Sequence, residues 1–420
     1  MYNGLSLDQA PPISVVIRFF ITVPIIGILL SLLILTNPHA VLTPNHPISL
    51  SAIHLMFLGI ITMSMLGALF QMQSVLGGKA IPSPVGNAFI IHLFLIIGIL
   101  ALGNAFLFTI PPLFVIASIF LGISLFYTLF LILPLLFSAS SHETLRGMRL
   151  ALIALSLTAF LGIIMASEYA HNSFSSLHEI LRISHYSLGL IGWVATLIIA
   201  VAFQVVEMFY VTESYSPWCK RNAFQILSIA LILKIIGLFL GFAFVWIFDL
   251  IIGGLLVGFV VTTLKRLATR KRRVSDVSIW FWVSGMILLL MSMLAYTLFS
   301  LNSNEMFQSL AFIAFSLFAL AIILGMMGKI IPFLIWFHLN ASGYMNAPIM
   351  SNIIPFQRAK ALFILFVLTA LSALLGVLFL KAFLLSALTG GVMFALLFYN
   401  ILIALKLYRY TLTHGTRFEF

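Results

Sequence analysis

The chain has 420 residues, of which 63% are hydrophobic and 7% charged, and its formal net charge is +11. A soluble domain cannot bury so large an apolar fraction, so the composition excludes a soluble protein and indicates an all-α polytopic membrane protein. The single cysteine, Cys219, excludes an intramolecular disulfide and a cysteine-rich metal or iron–sulfur site.

Apolar runs of about 20 residues, long enough to cross a hydrocarbon layer roughly 30 Å thick, recur along the whole chain. Twelve transmembrane helices are predicted, and the first is expected to be a retained helix because no basic region or cleavage site precedes it. The predicted spans, numbered 1 to 12 in chain order, are 13–36, 49–75, 84–107, 111–137, 148–167, 182–209, 223–246, 249–267, 277–300, 308–329, 358–380 and 383–407.

The basic residues are distributed by membrane side. With both termini placed in the cytoplasm, only Arg182 and Lys381 fall on the outer side. The inner side receives Lys79, Arg146, Arg149, Lys220, Arg221, the basic run 265–273, Arg358, Lys360, Lys406, Arg409 and Arg417. This bias predicts an integral protein of a bacterial inner membrane with both termini cytoplasmic, in contact with the lipid bilayer and without a nucleic-acid partner.

Spans 2 and 6 are similar to each other. The strings "HLMFLGIITMSMLGALFQMQSVLG" and "SLGLIGWVATLIIAVAFQVVEMFY" superimpose without gaps, and span 10 can be laid over both. The register matches His54 with Ser187, Gly59 with Gly192, Gly67 with Gly325, and Gln71 with Gln204 and Lys329. Because these spans are four apart, a single transmembrane domain, 1–420, is predicted, built from four-helix units at about 13–137, 148–267 and 277–407.

His54 and His185 lie at similar depths near the outer ends of spans 2 and 6. Neutral imidazole is a ligand for heme iron and for copper, so these histidines are the candidate cofactor and metal ligands, with heme b or copper as the candidate cofactor. The alternative is that each ring only forms a hydrogen bond with a helix carbonyl or with interfacial water. No catalytic residue is identified.

Four further ionisable residues within spans are candidates for function, because burying such groups in a membrane is costly. Lys234 lies near the centre of predicted span 7, so its ammonium must find a partner or a polar cavity or else lose its proton through desolvation. His92 is assigned to packing or hydrogen bonding. Lys329 and Glu207 lie near inner ends of their spans, where each can reach the interface or form an ion pair with the other.

These features together resemble the main subunit of heme-copper oxidases and nitric-oxide reductases. The resemblance rests on twelve spans with both ends inside, a threefold repeat of four-helix units, and histidines near the outer ends of spans 2 and 6. It implies that His54 corresponds to a heme ligand of span 2 and His185 to a copper ligand of span 6. The family's histidine pair in span 7 and its histidines in span 10 are absent, so turnover as an oxidase is not expected.

The leading hypothesis is therefore a divergent oxidase-like membrane protein that binds one heme b, or handles copper or heme, without a complete oxygen-reducing centre. His54 would be one axial ligand, with His185 or a methionine as the other. Respiratory-chain proteins and proteins that handle copper or heme are the candidate partners. The alternatives are a twelve-helix secondary transporter and an assembly factor for a respiratory complex.

Overall fold

The structure is a computed structural model that describes residues 7–139, 143–271, 274 and 276–417. In this part of the chain twelve helices are long and apolar enough to cross a membrane, which confirms the all-α polytopic fold class. They are Ile13–Thr36, Pro47–Gly77, Pro84–Phe108, Pro111–Ser138, Glu143–His171, His178–Tyr210, Pro217–Phe239, Trp246–Ala268, Val277–Asn302, Glu305–Ala341, Phe356–Gly376 and Leu380–His414. Short helices at Leu7–Gln9, Pro38–Leu42 and Met350–Ile353 lie between or before them.

Proline and capping side chains define where many of these helices begin. Spans 2, 3, 4 and 7 each start on a proline, whose fixed φ suits the first helical position and whose missing N–H would have no partner there. Spans 9 and 10 start after Asp276 and Asn304, whose side chains accept hydrogen bonds from Ser278 N and Met306 N. These local signals explain why most predicted starts lie within a few residues of the observed ones.

Several spans differ from their predicted lengths, and in spans 7 and 10 a local feature accounts for the difference. Span 7 ends at Phe239 instead of residue 246, in an apolar turn where Gly241 has a φ of +67°. Span 10 continues past Lys329 and through Pro332 to Ala341, so it is 37 residues long. An apolar turn does not interrupt a hydropathy pattern, and a proline can be accommodated within a membrane helix, so neither feature was apparent from composition.

Spans 2 and 6 each contain one widened helical turn. A π-helical segment occupies Leu55–Thr62 in span 2 and Leu188–Ala195 in span 6. The two segments have the same length and coincide residue for residue in the gapless register of the sequence repeat. In span 6, Thr196 Oγ1 donates a hydrogen bond to Ile191 O at 2.8 Å, so a side chain stabilises the end of the widened segment.

The helices group into two units. Unit 1 is formed mainly by Phe70–Val274 and contains spans 3 to 8, whereas unit 2 contains Pro11–Leu69 and the described chain after Val274, with spans 1, 2 and 9 to 12. Within unit 1, spans 3, 4, 5 and 6 pack each against the next, and span 7 packs against span 8. Within unit 2, span 9 packs against span 10, span 11 against span 12, and span 1 against spans 12 and 2. The prediction of three four-helix units stays a prediction.

One helix–helix contact recurs at matching positions of the repeat. A Cβ atom added to Gly67 of span 2 would lie 2.8 Å from Phe19 Cβ of span 1, and one added to Gly325 of span 10 would lie 2.8 Å from Phe281 Cβ of span 9. In span 6 the matching residue is Ala200, and the glycine is on the other helix: a Cβ added to Gly147 of span 5 would lie 2.5 Å from Ala200 Cβ. Each pair therefore packs closely at the same register.

The three similar spans are also the most buried. The buried share of the most apolar stretch is 67% in span 2, 72% in span 6 and 78% in span 10, whereas no other span exceeds 56%. Sequence similarity, close-packed register and burial therefore distinguish the same three helices from the other nine described spans.

Candidate functional site

His54 is held by its own helix immediately before the widened turn of span 2. It is the eighth residue of the helix that starts at Pro47, and its Nδ1 lies 2.7 Å from Leu50 O. A carbonyl oxygen can only accept, so Nδ1 carries the hydrogen, and in the neutral ring Nε2 carries the lone pair. Histidines that bind metals commonly have this arrangement, in which the second nitrogen donates to a carbonyl. The ring therefore fits a heme or copper ligand, and it also fits the hydrogen-bonding alternative.

His185 has a similar anchor, but on a neighbouring helix. It is the eighth residue of the helix that starts at His178, and its Nδ1 donates to Thr158 O of span 5 at 2.9 Å. The ring lies against Gly162, where an added Cβ would be 3.0 Å from its Cε1 atom. The hydrogen bond and the glycine together hold this ring against span 5.

The two candidate ligands belong to different units, His54 to unit 2 and His185 to unit 1. Among the residues that the structure describes, no three histidine, cysteine, aspartate or glutamate side chains form a metal-binding group. The roles of His54 and His185 as cofactor or metal ligands therefore stay predictions.

Lys234 forms an ion pair with a residue that the sequence did not single out. Its Nζ lies 2.6 Å from Asp249 Oδ1, which links span 7 to span 8, and Lys234 is only 4% exposed. Because span 7 ends at Phe239, Lys234 is five residues from the end of the helix instead of near its centre. The requirement for a partner, predicted from the cost of a buried ammonium, is met by this carboxylate.

Span 6 contributes a polar side chain near this ion pair. Tyr186 of span 6 is close enough to interact electrostatically with Asp249, Arg182 and Glu179. Arg182 donates to both carboxylate oxygens of Glu179 from its Nε and Nη2 atoms. One face of span 6 near its His178 end therefore carries charged groups.

Glu207 and Lys329 each pair with another residue, so the alternative in which they pair with each other does not hold. Glu207 accepts hydrogen bonds from Tyr215 N and Ser214 Oγ and lies 2.7 Å from Lys220 Nζ, which organises the turn between spans 6 and 7. Burial raises the pKa of Tyr215 in this turn, so its hydroxyl stays protonated and shares a hydrogen bond with Thr263 Oγ1.

Lys329 pairs with Asp276, the residue that caps span 9. This contact ties the start of span 9 to span 10 within unit 2. The carboxylate could not be assigned from the sequence because it precedes the predicted span and resembles a solvated loop residue.

The sequence also did not identify Glu168 as a partner of His178. Glu168, near the end of span 5, is 9% exposed, and its carboxylate lies 2.5 Å from His178 Nδ1 at the start of span 6. Phe174 and Tyr169 pack against the His178 ring. The pair connects two consecutive spans. His92 is half-buried on span 3, and its role in packing or hydrogen bonding stays a prediction.

Comparison with models of protein families and with curated proteins finds no match to this chain. The geometry establishes an integral membrane protein with bilayer-contacting helices and two separately anchored histidines. The specific function is therefore inferred from the side chains themselves.

Proposed function

We propose that this chain is a divergent member of the oxidase main-subunit type that binds one heme b, or handles copper or heme, without reducing oxygen. The observation that carries the proposal is the environment of His54. Its Nδ1 donates to Leu50 O, and the ring precedes a widened turn that recurs at the same register in span 6. Widened turns of this kind are frequent at functional sites.

The repeat supports the same proposal. Spans 2, 6 and 10 share a close-packed register and are the most buried spans. When bound, heme would supply a redox-active iron. The contribution of this chain would be His54, whose orientation and tautomer are fixed by Leu50 O before a metal arrives.

The secondary-transporter alternative is favoured by one observation, the Lys234–Asp249 pair within the membrane spans. Transporters of the common twelve-helix layout consist of two consecutive six-helix halves. The two units here divide the chain within span 2 and after span 8 instead. The close contact that recurs in the span pairs 1/2, 5/6 and 9/10 supports a repeat of four helices over two consecutive six-helix halves.

The test is purification of the full chain in mild detergent, followed by a pyridine-hemochrome spectrum and metal analysis. We expect stoichiometric heme b or copper in the wild type and at least a tenfold loss in His54→Ala, because removing a direct ligand costs at least as much as removing a supporting group (about 10–100-fold). His92→Ala is the matched control, since it removes another span histidine, and should keep the wild-type content. Absence of both a Soret band and stoichiometric copper in the wild type would refute the proposal.

A further inference from the structure

Several buried serine hydroxyls in these spans bond to their own helix. Ser64 Oγ donates to Ile60 O at 2.7 Å, and Ser156 Oγ donates to Leu152 O at 3.1 Å. In both cases the acceptor is one turn earlier, which satisfies a group that hydrocarbon cannot satisfy. This pattern is the reference for serines that depart from it.

Ser184 and Ser187 of span 6 depart from it. They are 0% and 3% exposed, and the Oγ atom of each has no hydrogen-bond partner in the described part of the chain. Neither hydroxyl is bonded to the carbonyl one turn earlier. A buried hydroxyl without a partner is costly, so two on adjacent turns require an explanation.

The two hydroxyls share one face of the helix. Residues three apart differ by about 60° around a helix with 3.6 residues per turn, so Ser184 and Ser187 point in similar directions. Arg182 and Tyr186 are about 160° to 200° away from Ser184 by the same geometry. The charged face of span 6 is therefore not the face that carries the serines.

The repeat relates the serine face of span 6 to the matching positions of span 2. Ser187 matches His54 in the register of spans 2 and 6, and Ser184 matches Ser51, which is 1% exposed. His185, the candidate ligand of span 6, is instead anchored to Thr158 O of span 5. The position in span 6 that corresponds to the candidate ligand is thus a serine with an unpartnered hydroxyl.

We propose that Ser184 and Ser187 form a polar binding site within span 6, at which oxygen atoms of a bound molecule accept a hydrogen bond from each hydroxyl. The chemistry fits either water or an oxygen-bearing ligand, because both offer acceptor lone pairs to two donors one turn apart. The site adds a hydrogen-bonding function to span 6 that is separate from metal coordination by imidazole.

The direct test is a high-resolution experimental structure of the full chain in lipid, with an antibody fragment bound to increase the particle size. We expect density within hydrogen-bonding distance of both hydroxyls. A compact single peak would identify water, and extended density would identify a ligand oxygen. If the density is absent and the hydroxyls turn to the carbonyls of Ile180 and Ile183, the proposal is wrong.

Thermal unfolding of the double variant Ser184→Ala/Ser187→Ala gives an independent readout. If the hydroxyls hold a bound oxygen, the variant loses those hydrogen bonds and its midpoint falls by about 2–4 °C. If the hydroxyls have no partner, their removal relieves a cost and the midpoint rises, which contradicts the proposal. Ser156→Ala is the control because its hydroxyl is satisfied within its own helix, and its midpoint should change by less than about 1 °C.

This site does not depend on the proposed heme. Density at Ser184 and Ser187 in a protein without heme would support the binding site while the heme proposal fails. Loss of heme in His54→Ala, combined with no density at Ser184 and Ser187 in the wild type, would support the heme proposal while the binding site fails.

Discussion

Polar side chains within these spans differ in how their hydrogen-bonding groups are satisfied. Lys234 has a charged partner on the next helix, and His54 has a carbonyl of its own helix. Ser184 and Ser187 have neither. Partnered groups can be explained by stability alone, so the unpartnered ones identify a site more specifically than the charges do.

Removing one member of the Lys234–Asp249 pair should destabilise the protein strongly. Lys234→Met would leave the Asp249 carboxylate without its ammonium, and we expect the free energy of unfolding to fall by about 3 kcal/mol. The double variant Lys234→Met/Asp249→Leu removes both charges and should recover most of that loss. Unfolding of purified protein in mixed detergent micelles measures both effects.

Lys381→Met is the matched control for this pair. Lys381 is exposed at the start of span 12, so the same chemical change there should alter the free energy of unfolding by less than about 0.5 kcal/mol. If Lys234→Met/Asp249→Leu is as unstable as Lys234→Met, the unpaired Asp249 carboxylate is not the cause of the stability loss in the single variant.

The sequence identified residues better than it identified their partners. The depth of His54 and the need of Lys234 for a partner followed from apolar surroundings, which are visible in the sequence. Asp249 was hidden because it stood at the first position of a predicted span, where a carboxylate is inexpensive. Which carbonyl or carboxylate a side chain meets depends on the rotation of each helix, and an all-apolar span carries little information about rotation.

At the level of helices, the recurring glycine contact sets the distance between paired spans. Gly67→Ala and Gly325→Ala would each place a methyl group against the Cβ atom of a phenylalanine, which cannot move without its backbone. We expect each variant to lose about 1–3 kcal/mol of stability because the two helices must separate. Thermal or detergent-induced unfolding of the purified variants provides the measurement.

Gly254→Ala tests whether this cost comes from packing. An added Cβ at Gly254 in span 8 meets nothing within 4 Å, and alanine favours a helix over glycine. The stability of this variant should be unchanged or higher. Equal losses at Gly254 and Gly67 would exclude the close contact as the cause.

The spans themselves were largely predictable because hydropathy and proline positions are local signals. Span 1 was predicted at 13–36 and observed at Ile13–Thr36. The end of span 7 was missed because the turn after Phe239 contains only apolar residues and glycine, and span 10, predicted to end at residue 329, continues through Pro332 to Ala341. The widened turns were not predictable, since no residue type specifies an additional residue in a turn.

For the whole molecule, the charge distribution predicts which membrane side each loop occupies. Two single-cysteine variants can test this in a Cys219→Ser background. Ser216→Cys, before span 7, should react with a membrane-impermeant maleimide only after cells are permeabilised, whereas Ser303→Cys, between spans 9 and 10, should react in intact cells. Both serines are exposed, so the variants differ in membrane side and not in burial.

The opposite labelling would invert the predicted topology and place His54 and His185 near the cytoplasmic side. Equal labelling of both sites in intact cells would contradict a span count that places the two loops on different sides. The twelve helices of the described chain remain consistent with either orientation, so this experiment decides a property that the fold alone does not.

The widened turn in spans 2 and 6 also bears on how the protein arose. A π-helical turn accommodates one residue more than an α-helical turn, and here it falls at the same register in both spans. Two separate insertions at one position require more evolutionary events than one insertion in an ancestral helix that was later duplicated. Span 10 is α-helical throughout Glu305–Ala341, so it either diverged before that insertion or lost it afterwards.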